Sequence, residues 1–174
     1  MTEHKKLLAE KCVELLYRRG VCPTNIELKY KKETNISYIS FNVAATMNVI
    51  SMLIGIDPLA MKLRGGLLAS DILFEVNIYD DVVAIGSEFL DPSTRRGSIF
   101  DLLNTINTHN TYSMYNKAYI TPQGMQLSSA YNIQTYSFVK EDIKKYNIDF
   151  ICGIIILLIE NMIKDTYEIL TGIN

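Results

Sequence analysis

The sequence predicts an α+β fold in which helices pack on an antiparallel sheet. Segments with alternating apolar residues follow one another through turn-like stretches, and segments with apolar stripes at helical spacing stand before, between and after them. No strand–helix–strand unit repeats along the chain. The resulting order of helix, strands, helix, two strands and helix is typical of an antiparallel sheet with helices packed on it.

Length and composition indicate one globular domain over residues 1–174, since 48% of the residues are hydrophobic and 21% are charged. The formal net charge of −2 provides no overall basic field, which argues against nucleic acid as the main partner. Three cysteines leave an odd thiol, and the N-terminal MTEHKKLLAEK does not resemble a signal peptide. We therefore expect the reducing cytoplasm as the compartment.

The first element is an amphipathic helix over residues 3–19, and Gly20 suits its C-terminal end. A hairpin follows, in which IELKYK (26–31) alternates apolar and charged residues and ISYISFNVAATM (36–47) returns. The apolar stripe of the helix consists of Leu8, Cys12, Leu15 and Leu16. The buried positions expected in the hairpin are Ile26, Leu28, Tyr30, Ile39, Phe41, Val43 and Ala45.

Residues 48–70 mix an apolar run with an Asp-Pro step and a Gly-Gly pair, which indicates an insertion or a lid. After this segment DILFEVNI (71–78) alternates cleanly, and YDD turns the chain into VVAIGSEF (82–89). These two segments predict a second hairpin. Its inward-facing residues on the first limb are Ile72, Phe74, Val76 and Ile78.

A middle helix begins at Ser98, where Ser98 and Asp101 form the pattern of a capping box, and we expect it to end near His109. TYSMYNKAYI (111–120) and MQLSSAYNIQTYSF (125–138) then predict two strands joined by TPQG. The apolar stripe of this helix comprises Ile99, Leu102, Leu103 and Ile106.

The last element is a helix over residues 148–171. Its segment FICGIIILLI is apolar on every side but only about ten residues long, whereas a membrane span needs roughly 20. The protein is therefore not expected to insert in a membrane. A helix that is apolar all round must be covered all round, either within the chain or by a second subunit.

The stretch LLNTINTHNTYSMYNKAYITPQGMQLSSAYNIQ, followed by the apolar terminal helix, resembles the YbjN-like families of bacterial proteins. The resemblance is motif-like from about residue 98 to 165. It implies a fold similar to type III secretion chaperones, with helix, three strands, helix, two strands and helix. It also implies a cytoplasmic, often dimeric binding or regulatory protein, with no established catalytic residues to transfer. The segment 48–70 and the additional strand at 82–89 depart from that pattern.

Three groups of residues are candidate binding sites. Arg95 and Arg96 precede the middle helix at Ser98, where exposed amides and the helix dipole favour an anion. A solvated arginine loop before a capped helix explains them equally simply. Four tyrosines of the predicted strand pair could form a stacking surface for a base or a peptide, although strand propensity also accounts for them. These residues are Tyr112, Tyr115, Tyr119 and Tyr131. The candidate partner or dimer surface on the terminal helix comprises Phe150, Ile151, Ile154, Ile155 and Leu158.

Reactive chemistry has little support in the sequence. His4 and His109 are the two histidines, and a cation at a helix end explains the position of His109. Cys12 and Cys152 fall on apolar helical stripes, whereas Cys22 is expected to be exposed. Acidic residues around 71–88 are the ordinary polar face of a strand pair, and no paired spacing typical of a metal site is present. We therefore expect no catalytic residue, no metal and no cofactor.

The function predicted from these observations is a non-catalytic protein-interaction, chaperone-like or regulatory role rather than that of an enzyme. The expected partner is a second copy of the chain, in a homodimer, or another protein. The alternative is a small-molecule or nucleotide-binding regulatory domain that uses the arginine loop and the tyrosines.

Overall fold

A computed structural model describes residues 3–34, 36–44, 55, 71–79, 82–89, 98–114, 116–121, 124–132 and 146–171. The helices in these ranges are α1 (Glu3–Arg18), α2 (Ile99–Tyr112) and α3 (Tyr146–Thr171). The strands are β1 (Pro23–Lys31), β2 (Ile36–Ala44), β3 (Asp71–Ile78), β4 (Val82–Phe89), β5 (Lys117–Thr121) and β6 (Gly124–Asn132). The α+β class and the order of elements predicted from the sequence are confirmed.

The six strands form one sheet in the order β1-β2-β3-β4-β6-β5, and every neighbouring pair is antiparallel. The additional strand predicted at 82–89 is β4, which lies in the interior of the sheet between β3 and β6. It therefore joins the first two hairpins to the β5–β6 hairpin. The edges of the sheet are β1 and β5.

One face of the sheet is buried because the alternating apolar residues of neighbouring strands are in register. Phe41 on β2 pairs with Phe74 on β3, and their rings stack with centroids 5.4 Å apart. Val76 on β3 likewise pairs with Ile85 on β4. Such cross-strand pairs of aromatic and β-branched residues stabilise a sheet by about 0.2–1 kcal/mol each. Further buried residues of this face are Ile39, Val43, Ile72, Ile78, Val83 and Met125.

The helices cover the buried face of the sheet. α1 packs on β1 and β2, α3 packs on β4 and β6, and α1 also lies against α3. α2 contacts β5 and α3. The apolar terminal helix is thus covered by the sheet and by α1, with Leu8, Cys12 and Leu16 of α1 in the same core as Cys152 and Ile159. Within the described ranges, no helix is long and apolar enough to cross a membrane.

The first strand pair shows where strict alternation fails. The sequence predicts Ile26, Leu28 and Tyr30 on a buried face, but Leu28 is exposed and the other two are only half-buried. β1 is an edge strand, and its register with β2 shifts near Asn25, which has a positive φ of 51°. An edge strand with a bulge twists away from the core and buries less of its apolar face.

The region after α2 also differs from the prediction. The helix continues beyond His109 to Tyr112, and the next strand begins only at Lys117 rather than at residue 111. The extra turn is closed by Ser113 N–H, which donates to the backbone oxygen of His109 at 2.7 Å, and by Lys117 Nζ, which donates to the backbone oxygens of Asn110 and Ser113. These bonds outweigh the strand propensity of Thr111 and Tyr112.

Several predictions fall outside the described residues. These are the insertion or lid at 48–70, of which only Gly55 is described, and the end of the last predicted strand at 133–138. The same holds for Ala45, which was expected to continue the buried face of β2.

Candidate functional site

The predicted anion site is only partly described. Arg95 and Arg96 lie outside the described residues, whereas Ser98 is the N-cap of α2. Its backbone N–H and its hydroxyl donate to Asp101 Oδ2 at 2.9 and 2.8 Å, and Asp101 N donates to Ser98 Oγ. The bonds from the Ser98 backbone and side chain lower the pKa of the Asp101 carboxyl. The capping box predicted from the sequence is confirmed, and the chain's own carboxylate occupies this helix start.

The predicted stacking tyrosines do not share one strand pair. Tyr112 is the last residue of α2, and Tyr119 lies on β5. Both side chains are exposed. Tyr131 lies on β6 but its side chain is not described, and Tyr115 lies outside the described residues. The hairpin prediction is wrong for Tyr112, because α2 extends through that position.

The predicted partner surface on α3 divides between core and exterior. Ile155 and Leu158 are buried in the core of this chain and therefore do not belong to an exposed surface. Ile151 and Ile154 are half-buried, whereas 49% of Phe150 is exposed. Sequence reasoning missed Leu157, which is 53% exposed on the same side as Phe150. A rotation of about 100° per residue places Phe150, Gly153, Ile154 and Leu157 within an arc of about 100°. We call these four residues the α3 apolar face.

The contact between α1 and α3 contains two of the three cysteines. Cys12 Sγ and Cys152 Sγ are 3.4 Å apart, and both residues are buried. The hydrogen bond with Cys152 and burial raise the pKa of the Cys12 thiol. Cys22 is exposed, so the predicted environments of all three thiols are confirmed. An ion pair between Lys11 and Asp149 at 3.7 Å spans the same two helices at the surface.

A second candidate site is a cleft of about 680 Å³ between the C-terminal turns of α2 and the C-terminal half of α3. This volume is within the range of about 300–1,000 Å³ that small-molecule sites occupy. We call it the α2–α3 cleft. Its wall and rim include His109, Tyr112, Met114, Asn116, Asp165 and Glu168.

The segment that closes one side of the cleft is fixed by hydrogen bonds. The side chain of Asn110 donates to the backbone oxygen of Ala118 and accepts from its N–H, both at 2.8 Å. Lys117 Nζ donates to the backbone oxygens of Asn110 and Ser113. The backbone N–H of Asn116 donates to Ser113 Oγ at 3.1 Å. These bonds attach the end of α2 to β5 and hold Asn116 in place.

The wall of the cleft contains a polar group around one carboxylate. Asn116 Nδ2 donates to Asp165 Oδ2 at 2.6 Å, and His109 Nε2 lies 3.9 Å from the same oxygen. Among the described residues, Asn116 Oδ1 and His109 Nε2 are buried atoms with no hydrogen-bond partner. Such atoms are rare in folded proteins and cost roughly 1–3 kcal/mol each unless a water or a ligand satisfies them.

Two carboxyl groups, those of Asp165 and Glu168, line the cleft. Burial raises the pKa of the Glu168 carboxyl, the nearby Lys164 opposes this rise, and the Asp165 carboxylate adds to it. Lys164 Nζ lies 3.7 Å from Glu168 Oε1 and is half-exposed. The C-terminal end of α2 also contributes partial negative charge at the cleft. Within the described ranges, no group of three or more His, Cys, Asp or Glu side chains is arranged to hold a metal ion.

Sequence reasoning did not find this cleft. It assigned His109 to the dipole of a helix end and gave no role to Asn116 or Asp165, which lie 49 residues apart. No motif spacing connects them. Their proximity depends on the tertiary contact between α2 and α3.

Comparison of the chain with protein-family models, with curated proteins and with solved structures finds no match. The candidate sites therefore rest on geometry alone.

Proposed function

We propose that the protein is a non-catalytic interaction protein of the chaperone-like, regulatory kind that the resemblance to YbjN-like proteins implies. Its partner at the α3 apolar face is a second copy of the same chain. The observation that carries this proposal is the exposure of Phe150 and Leu157 on one side of a helix whose other apolar side chains are mostly buried.

Burial of this face by a second copy is energetically reasonable. Transfer of apolar surface from water contributes about 25 cal/mol per Å², and exposed apolar patches on proteins often mark interaction sites. Gly153, in the middle of the face, has no side chain, and a Cβ placed there would meet no atom within 4 Å among the described residues. A partner helix can therefore approach the backbone of α3 closely at this point. A two-fold symmetric contact uses the same face of both chains, so one face is sufficient.

The test is the molar mass in solution, measured by light scattering coupled to size exclusion over a range of micromolar concentrations. We expect the wild type to have twice the 19.8 kDa mass of the chain. Leu157→Asp should give the monomer mass while the far-UV circular dichroism stays unchanged, because Leu157 is exposed in the single chain.

Leu103→Asp is the matched control, since Leu103 is also an exposed leucine on a helix, at 41% against 53% for Leu157. It lies on α2 and is not part of the α3 apolar face. A monomeric wild type contradicts self-association. A Leu103→Asp variant that dissociates while Leu157→Asp stays dimeric places the contact on α2 instead.

The second candidate function is a small-molecule-binding regulatory domain. The α2–α3 cleft favours it, because a concave site of about 680 Å³ contains two buried polar atoms without partners among the described residues. One measurement distinguishes the two functions: small compounds should shift the NMR resonances of residues in the cleft of a ligand-binding domain, but not those of a protein that only binds other proteins.

A further inference from the structure

The α2–α3 cleft contains a polar side chain for which the described part of the chain supplies only half of the required hydrogen bonds. Asn116 is 1% exposed and lines the cleft. Its Nδ2 is satisfied by Asp165, but its Oδ1 has no partner among the described residues. Burial of an amide oxygen without a donor is unfavourable, and the part of the chain that the structure describes leaves this oxygen one donor short.

The charges around the cleft determine which kind of donor fits. Asp165 and Glu168 line it, whereas Lys164, whose Nζ lies 3.7 Å from Glu168 Oε1, is not among the described lining residues. The ammonium group of Lys117 is already bonded to two backbone oxygens at the end of α2. The carboxylates and the C-terminal end of α2 repel anions and attract cations.

The rim and the size of the cleft indicate an organic cation. Tyr112 and Met114 are 80% and 86% exposed at the rim, where they offer an aromatic ring and a thioether to a ligand. An aromatic face attracts a nearby ammonium group, and a flexible thioether packs on its carbon chain. A metal ion requires several converging ligands, and the described residues contain no such group.

We propose that the α2–α3 cleft binds a small organic molecule through a primary ammonium group. The ammonium donates hydrogen bonds to Asn116 Oδ1 and to the Asp165 carboxylate, and the carbon chain of the ligand lies against Tyr112 and Met114. This site is separate from the α3 apolar face, and the inference rests on the second candidate function proposed above, for which it names the class of ligand.

The experiment is a titration of the ¹⁵N-labelled protein with three four-carbon probes whose polar ends are positive, neutral and negative: n-butylammonium, n-butanol and butyrate. We expect n-butylammonium to shift the backbone resonances of Met114 and Asn116, whereas n-butanol and butyrate leave them unchanged. A fourth probe, a capped pentapeptide with one central lysine, presents the same ammonium group on a polypeptide.

Two variants identify the groups that bind. Asp165→Asn removes the charge and keeps the shape, and it should weaken n-butylammonium binding by about tenfold or more, as expected for a charge-assisted hydrogen bond. Asp149→Asn is the matched control, because it removes an exposed carboxylate near the other end of α3. It should leave the binding unchanged. Tyr112→Ala does not disturb the core and should weaken binding several-fold.

The proposal is overturned if n-butanol shifts the same resonances as strongly as n-butylammonium. It is also overturned if Asp165→Asn, with a native spectrum, binds n-butylammonium as well as the wild type does. Binding of the lysine peptide without binding of the free amine would overturn the assignment to a small molecule. None of these outcomes depends on whether the chain is a monomer or a dimer.

Discussion

Two adjacent leucines on α3 provide a direct test of how the helix is oriented on the sheet. Leu158 is 4% exposed and Leu157 is 53% exposed, although both belong to the same apolar run. Leu→Ala removes three carbons, which is a loss of about 2.4 kcal/mol at roughly 0.8 kcal/mol per buried carbon. The cavity left at a fully buried site raises the cost to about 3–5 kcal/mol. We therefore expect Leu158→Ala to lower the free energy of unfolding by this amount.

In the monomeric chain, at concentrations too low for self-association, Leu157→Ala should cost at most about 1 kcal/mol, because half of that side chain is then in water and no closed cavity forms. The slightly higher helix propensity of alanine offsets a few tenths of this loss. The assay is urea denaturation followed by circular dichroism, with the m-values compared between variants. Equal losses at the two positions in the monomer would refute the orientation of α3, and a larger loss at Leu157 in the monomer would place the helix about 100° away from the described rotation. In a dimer the Leu157 loss grows with protein concentration, whereas the Leu158 loss does not.

Three further predictions concern the cap, the thiols and the end of α2. Ser98→Ala should lower the free energy of unfolding by about 1 kcal/mol. The bonds from Ser98 lower the pKa of the Asp101 carboxyl in the folded state. The stability from this pair is therefore present above the unfolded-state pKa and is lost as the pH falls through the lower folded-state pKa. The free energy of unfolding of Ser98→Ala, measured by urea denaturation, should therefore change less at acid pH than that of the wild type. An aromatic disulfide reagent should modify Cys22 rapidly and Cys12 only after urea unfolding, since Cys12 is buried and its pKa is raised. Asn110→Ala should lower the free energy of unfolding by about 1–3 kcal/mol, because it removes the hydrogen-bond partner of the backbone N–H and C=O of Ala118 on β5. Urea denaturation measures this loss, and an unchanged midpoint would contradict the prediction.

Much of the fold was predictable because it depends on local patterns. The alternation in β3 places Ile72, Phe74, Val76 and Ile78 on one face, and all four are buried. The capping box at Ser98 likewise depends on two residues three positions apart. Features of this kind are encoded within a few residues, so the sequence alone predicts them.

The errors concern features that depend on distant parts of the chain. Leu28 is exposed because β1 is an edge strand. The residues of β1 themselves do not indicate whether the strand lies at the edge or in the interior of the sheet. α2 continues past His109 because its last turn is bonded to β5 through the Asn110 side chain and the Lys117 ammonium group. Leu157 and Leu158 have the same chemistry, and only the packing of α3 on the sheet and α1 distinguishes the exposed residue from the buried one.

The two proposed sites lie on one helix, and this arrangement leads to a final prediction about their independence. Leu157 in the α3 apolar face and Asp165 in the α2–α3 cleft are eight residues apart, or about 12 Å along the axis at 1.5 Å per residue. Effects of substitutions farther apart than about 7–10 Å usually add when the residues share no partner. A variant with both Leu157→Asp and Asp165→Asn should therefore lose self-association as fully as Leu157→Asp and lose n-butylammonium binding as fully as Asp165→Asn. The measurements are light scattering with and without n-butylammonium, and NMR titration of each variant. Binding that is weaker in Leu157→Asp than in the wild type, with Asp165 intact, would show that α3 couples the two sites and would contradict their independence.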